Sequence, residues 1–193
     1  MKIYWNALRL LILAGVVVFS VFPSRSRSLA AARQPSEPGI VGEIAGYKSW
    51  PKATPVPSWY DPSISVMCAP STQQPVASGP HTNKYILVYV NETGRRALLQ
   101  QKTPDFPEGS IVVKEKLPDA SSRSPELLTV MLKRGKGFNP ASGDWEFAVL
   151  DGTANVVIEQ GKLENCASCH NTKKDSGFVF RSYLTPEAKA KLQ

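Results

Sequence analysis

Three residues toward the C-terminal end of this chain have the types and the spacing to hold a redox metal. In Asn165-Cys166-Ala167-Ser168-Cys169-His170 two cysteines stand two residues apart and a histidine follows at once, the attachment signature of a c-type haem. Each has a chemical duty. The two thiols add across the porphyrin vinyl groups as thioethers, the spacing setting their sulfurs about one vinyl separation apart on a single turn of chain. His170 then lies under the iron and supplies its proximal imidazole. The same residues read otherwise as a thiol redox pair, or as part of a zinc site that Cys68 or His81 would complete. If Cys166 and Cys169 hold haem, Cys68 is left without an intramolecular partner and is best read as a buried, unreactive thiol. His81, in Gly79-Pro80-His81-Thr82, would close the iron site as a sixth ligand; a structural role on loop backbone is the preferred reading.

The compartment follows from the other end of the chain. Lys2 and Arg9 make a positive start, residues 10–22 are an unbroken run of apolar or small residues, and Ala30-Ala31-Ala32 offers a small-residue cleavage site, the pattern of an export signal. Thirteen residues fall short of the ~20 that span a bilayer, although Arg25 and Arg27 just before the cleavage site leave an uncleaved anchor open. Either outcome delivers the domain to the periplasm or beyond, where c-type haem is attached. Four of the 23 basic residues lie in the first 32, which hold no acid, so the remainder carries 19 basic against 16 acidic residues, a net +3. That balance excludes a nucleic-acid partner, since a phosphate-binding face needs a clustered excess. The expected organisation is an export segment or anchor over 1–32, a Pro/Ser/Gly/Glu linker over 33–46, and one haem-binding domain over 47–193.

The elements that must position the cysteines and the histidine are mostly strands. Residues 47–50 suggest one helical turn stopped by Pro51, and Pro55, Pro57 and Pro62 forbid regular structure beyond it. Residues 84–90, 110–117, 126–133 and 145–150 are rich in β-branched and aromatic residues and bounded by turn formers. A short helix fits 95–102, residues 156–158 suit either strand or helix, 177–182 read as a last strand, and Thr185-Pro186-Glu187 caps a terminal helical turn. The fold class is therefore mainly β (α+β), an antiparallel sheet with a few short helices. Small electron-transfer cytochromes, by contrast, are helical and ligate iron again through a methionine downstream of the motif. No methionine follows His170, and Met67 and Met131 lie upstream, where core filling is the better reading.

Residues 107–115 (PEGSIVVKE), 143–147 (GDWEF), 166–170 (CASCH) and 178–180 (FVF) together resemble the cytochrome P-460 family, over about 47–183. The resemblance implies a homodimer of mostly antiparallel sheet with one haem c, its iron five-coordinate at rest. It implies oxidation of hydroxylamine and/or nitric oxide, with electrons passed to a partner cytochrome. The related β-sheet cytochromes c-prime bind nitric oxide or carbon monoxide without turnover, and a plain electron carrier is the remaining alternative. The family joins a lysine covalently to the porphyrin, and Lys114 occupies the matching position. Strand alternation sends Val112, Lys114 and Lys116 to one face and Ile111, Val113 and Glu115 to the other. An apolar haem pocket would lower the lysine pKa enough to free a nucleophilic amine. One departure stands out. Hydroxylamine-oxidising members carry a distal carboxylate for proton relay, whereas residues 133–139 contain none. Asp144 and Glu146 are the nearest acids, and Phe138 and Phe147 are candidates to line an apolar distal pocket.

Overall fold

The structure, a computed structural model, describes residues 39–59 and 84–193. The expected export segment, residues 33–38 of the linker, Met67, Cys68 and His81 lie outside the described residues. No helix among the described residues is long and apolar enough to cross a membrane.

Six antiparallel strands form one sheet in chain order: β1 (Ser58–Trp59), β2 (Tyr85–Val90), β3 (Ile111–Leu117), β4 (Leu127–Lys133), β5 (Trp145–Asp151) and β6 (Val157–Gly161). The four strands read from composition appear within a residue of their expected limits. Residues 157–161 resolve as strand rather than helix, and β1 adds a two-residue edge within the proline-rich stretch. Helix α1 (Ile40–Glu43) precedes the sheet and α2 (Glu92–Leu99) joins β2 to β3. Helix α3 (Glu164–His170) follows β6, and α4 (Pro186–Ala190) closes the chain. A 3-10 turn spans Tyr47–Ser49, where a single turn before Pro51 was expected. Asn91 caps α2, its side-chain oxygen accepting from the Gly94 and Ile111 amides at 3.0 and 2.9 Å. Thr185 caps α4 in the same manner.

The register decides which side chains meet. Lys114 pairs with Val88 on β2 and Thr129 on β4, Thr129 with Val149 on β5, and Val149 with Glu159 on β6, so one row on one face runs Val88, Lys114, Thr129, Val149, Glu159. The next row on that face is Val90, Val112, Met131 and Phe147. This face buries Ile86, Val88, Val90, Val112 and Phe147 against Ala97 and Leu98 of α2, Ala167 of α3, and Val179 and Leu184 of the C-terminal segment. The opposite face buries Val113, Leu128, Val130, Leu132 and Leu150 against Ile40, Ile44 and Tyr47. Each fully buried aliphatic side chain contributes about 1.5–3 kcal/mol.

The short helix expected over 95–102 instead runs Glu92–Leu99, starting at its Asn91 cap, and two further expectations need correcting. The stretch 33–46 does not stay a linker to its end: Ile40 and Ile44 are 2% and 1% exposed in the core. Glu43 of α1 holds the Arg134 guanidinium through two contacts of 2.8 Å. Two isoleucines four apart suffice to seat one turn, even in a segment rich in Gly and Glu. The second correction concerns 177–182, which forms no strand. Gly177 and Phe178 both have left-handed backbone, φ +61 and +66, incompatible with a sheet ladder. The alternating Phe178-Val179-Phe180 pattern serves a loop whose side chains pack on the first core.

Candidate haem site

Helix α3 carries the cysteines and the histidine. At 3.6 residues per turn, positions 166, 169 and 170 fall on one face, and that face looks across a cleft at the sheet. The cleft has a volume of about 110 Å³ and opens to solvent. Cys166, Cys169 and His170 line one wall; Val112, Lys114, Thr129, Met131 and Phe147 line the sheet wall; Val179, Phe180 and Tyr183 close the side. Cys166, Cys169, His170 and Lys114 therefore border a single cavity. Met131 fills core as expected, and also shows a face to the cleft.

His170 is held from three directions. Its ring centroid lies 5.3 Å from that of Phe147 and 5.2 Å from that of Phe180, the latter edge-on. Its Nδ1 is 2.7 Å from the Phe178 carbonyl oxygen. A carbonyl only accepts, so the proton sits on Nδ1 and the Nε2 lone pair is free to ligate. Burial pushes the His170 pKa down to about 4, the Phe178 hydrogen bond works against the shift, and the nearby Lys114 charge adds to it. The imidazole is thus neutral at pH 7, the form a metal binds.

Burial raises the Cys166 pKa to about 11; Lys114 opposes the shift, while Glu159 and Cys169 reinforce it. A reactive redox pair needs a lowered thiol pKa, so the thiol–disulfide reading fits this environment poorly. Among the described residues, no group of three or more His, Cys, Asp or Glu side chains converges to hold a bare metal ion. The donor set does suit a porphyrin iron: one oriented neutral imidazole, two thiols one helical turn apart, and a mostly apolar cleft.

The acids named from sequence lie elsewhere. Asp144 accepts from the Gly137 and Asn139 amides at 3.1 and 2.9 Å. Glu146 accepts from Arg134 at 2.6 Å and from Gln160 at 3.0 Å. Of the two phenylalanines, Phe147 lines the cleft, whereas Phe138 sits under the Lys162 ammonium, 5.1 Å from its ring centroid. Thr129, Tyr183 and Glu159 went unnoticed in the sequence. Thr129 and Glu159 become legible only through the cross-strand row that begins at Lys114, and Tyr183 only once residues 177–184 fold back over the cleft.

A family model described as Cytochrome P460 matches residues 44–181. No curated protein matches the chain.

Proposed function

Because this chain belongs to the cytochrome P460 family, whose members are c-type haem proteins, we propose that its cleft holds one haem c joined through Cys166 and Cys169, with His170 Nε2 on the iron. In this reading the protein oxidises hydroxylamine and/or nitric oxide and passes the electrons to a partner cytochrome. The supporting observation is that Lys114 borders the same cleft as Cys166, Cys169 and His170. Lys114 is the residue assigned the family's covalent link to the macrocycle, in which the amine nitrogen would replace a hydrogen on a porphyrin carbon, two electrons passing to an oxidant of the peroxide class. Haem iron, when bound, would supply a centre that changes oxidation state and takes a small ligand.

The chain's own residues do the rest. His170 donates through Nε2 while Phe178 keeps the proton on Nδ1. Phe147, Val112 and Met131 keep bulk water from the sheet side, and Thr129 adds a hydroxyl to that wall beside Lys114. Delivery to the periplasm, with the export segment cleaved or kept as an anchor, and assembly as a homodimer belong to the same reading. The exposed apolar residues Val156 and Ile158 beside and on the edge strand β6, 58% and 55% accessible, support the second of these.

A second reading has its own observation. No carboxylate is among the described residues that line the cleft, and oxidation of hydroxylamine releases protons that need an acceptor. Capture of nitric oxide or carbon monoxide needs none. The full-length protein's absorption spectrum and turnover separate these readings. A red-shifted, broadened Soret band with hydroxylamine consumed in the presence of an electron acceptor is the expected result. A normal high-spin spectrum with gas binding and no consumption would leave the capture reading, and sharp low-spin bands would overturn both. Mass spectrometry of the haem peptide tests the lysine directly: an unmodified tryptic peptide containing Lys114 would remove the crosslink.

A further inference from the structure

The carbonyl that accepts from His170 belongs to a segment held in an unusual way. Gly177 and Phe178 are consecutive left-handed residues, with φ +61 and +66, and so are Gly143 and Asp144, with φ +61 and +59. The two pairs interlock. The Phe178 ring lies against Gly143 so closely that a Cβ at position 143 would run into it. The Trp145 indole, directly after the second pair, donates from Nε1 to the Gly177 carbonyl at 2.9 Å. Gly177 has no room either: a Cβ there would stand 2.9 Å from the Phe106 ring and 3.0 Å from the Pro104 carbonyl oxygen. Trp145 is fully buried and packs edge-on against Phe106, with centroids 5.2 Å apart. The Phe178 carbonyl is therefore aimed by a tight key between the start of β5 and the loop after α3, in addition to the local turn in which the Gly177 and Phe178 amides donate to the Lys174 and Lys173 carbonyls at 3.0 and 2.8 Å.

We propose that Gly143, Trp145 and the Phe178 ring are positioning residues for His170, and that by fixing the Phe178 carbonyl against Nδ1 they set the reduction potential of the iron. The proposal rests on the reading of His170 as the iron ligand. A firm Nδ1–H···O bond gives the imidazole more anionic character and makes Nε2 a stronger donor. A stronger donor favours ferric over ferrous iron. Loosening the key weakens the bond, so the potential rises and the iron–histidine bond softens.

The test uses the full-length haem-loaded protein and the variants Gly143→Ala, Phe178→Ala, their combination, and Trp145→Phe. Haem content is checked by pyridine haemochrome, the midpoint potential by spectroelectrochemical titration, and the ferrous iron–histidine stretch by resonance Raman. Gly143→Ala is expected to raise the potential and lower the stretching frequency at full haem content. The double variant is expected to shift less than the two single variants added together, because the methyl and the ring no longer collide. Trp145→Phe keeps the ring but loses the Nε1 donor. It should move both readouts in the same direction, and it provides the test if Gly143→Ala does not fold. Unchanged potential and stretch in haem-replete Gly143→Ala, or in Trp145→Phe where that variant stands in for it, would overturn the proposal. So would strictly additive shifts in the double variant. Absence of haem from the wild-type protein would instead overturn the underlying reading of the site.

Discussion

Lys114 shows how little a single residue says before its neighbours are known. Within Val112-Val113-Lys114-Glu115-Lys116 it looks like any lysine on a strand, and alternation alone places it on the same face as Lys116. Register separates the two: Lys114 pairs with Thr129 and borders the cleft, whereas Lys116 pairs with Leu127 farther along the face. Lys114→Met keeps much of the side-chain length and removes the amine. Under the proposed function it should leave haem attachment at Cys166 and Cys169 intact while narrowing the Soret band and moving it to shorter wavelength. Spectra and haemochrome content of the purified variant check this, and an unchanged band would mean the amine takes no part in the chromophore. Left-handed backbone at Asp144 and Phe178 costs roughly 1–2 kcal/mol at each residue, borne where the Phe178 carbonyl meets His170.

At the scale of elements, the helices divide their work between the two faces of the sheet. On the cleft side α2 and α3 cover the apolar rows. On the far side the cover is α1 and the following turn, drawn from a stretch with a linker's composition. Ile44→Ala should destabilise the fold by about 2–4 kcal/mol, the usual cost of emptying a buried aliphatic site, read as a lower urea midpoint. Glu43→Ala should cost less, about 1 kcal/mol, because the Glu43–Arg134 pair is roughly a fifth exposed on both sides. If Ile44→Ala were neutral, α1 would be dispensable and the packed domain would indeed begin near Tyr47. The terminal loop carries the opposite lesson. Phe178-Val179-Phe180 has a strand's alternation, but the two left-handed residues turn it into a support for His170.

For the molecule as a whole, the far face contains a buried polar cluster that makes stability depend on pH. Glu115, 2% exposed, accepts from the Tyr47 hydroxyl at 2.6 Å and the Tyr89 hydroxyl at 3.4 Å. Burial, then Glu115, pushes the Tyr89 pKa up to about 12; burial and the Glu115 hydrogen bond push Tyr47 higher still. Both phenols ionise more readily in the unfolded chain, near pH 10. Their contribution is therefore fully present below about pH 10 and is lost as pH rises toward and beyond 12. Burial lowers the Lys116 pKa, which acts in the other direction: its penalty is relieved as pH climbs toward the ordinary lysine value. Urea midpoints measured from pH 8 to 12 should fall above pH 10, and Tyr89→Phe should flatten that fall. A profile that is level from pH 9 to 12 would mean that the phenols titrate normally.

The sequence by itself determined most of the sheet and pointed to the chemistry now proposed. Cys166, Cys169 and His170 are local in the chain, so spacing sufficed to assign them a candidate duty, and β2 to β5 are dense enough in β-branched and aromatic residues to be recognised one at a time. Only the tertiary structure decided what faces those residues. The row from Lys114 through Thr129 to Glu159 is created by the register between successive strands. The Phe178 carbonyl reaches His170 because two left-handed turns, 34 residues apart in the chain, lock against each other. No local pattern encodes such contacts, since backbone handedness at a residue like Phe178 is imposed by packing that its own side chain does not prefer.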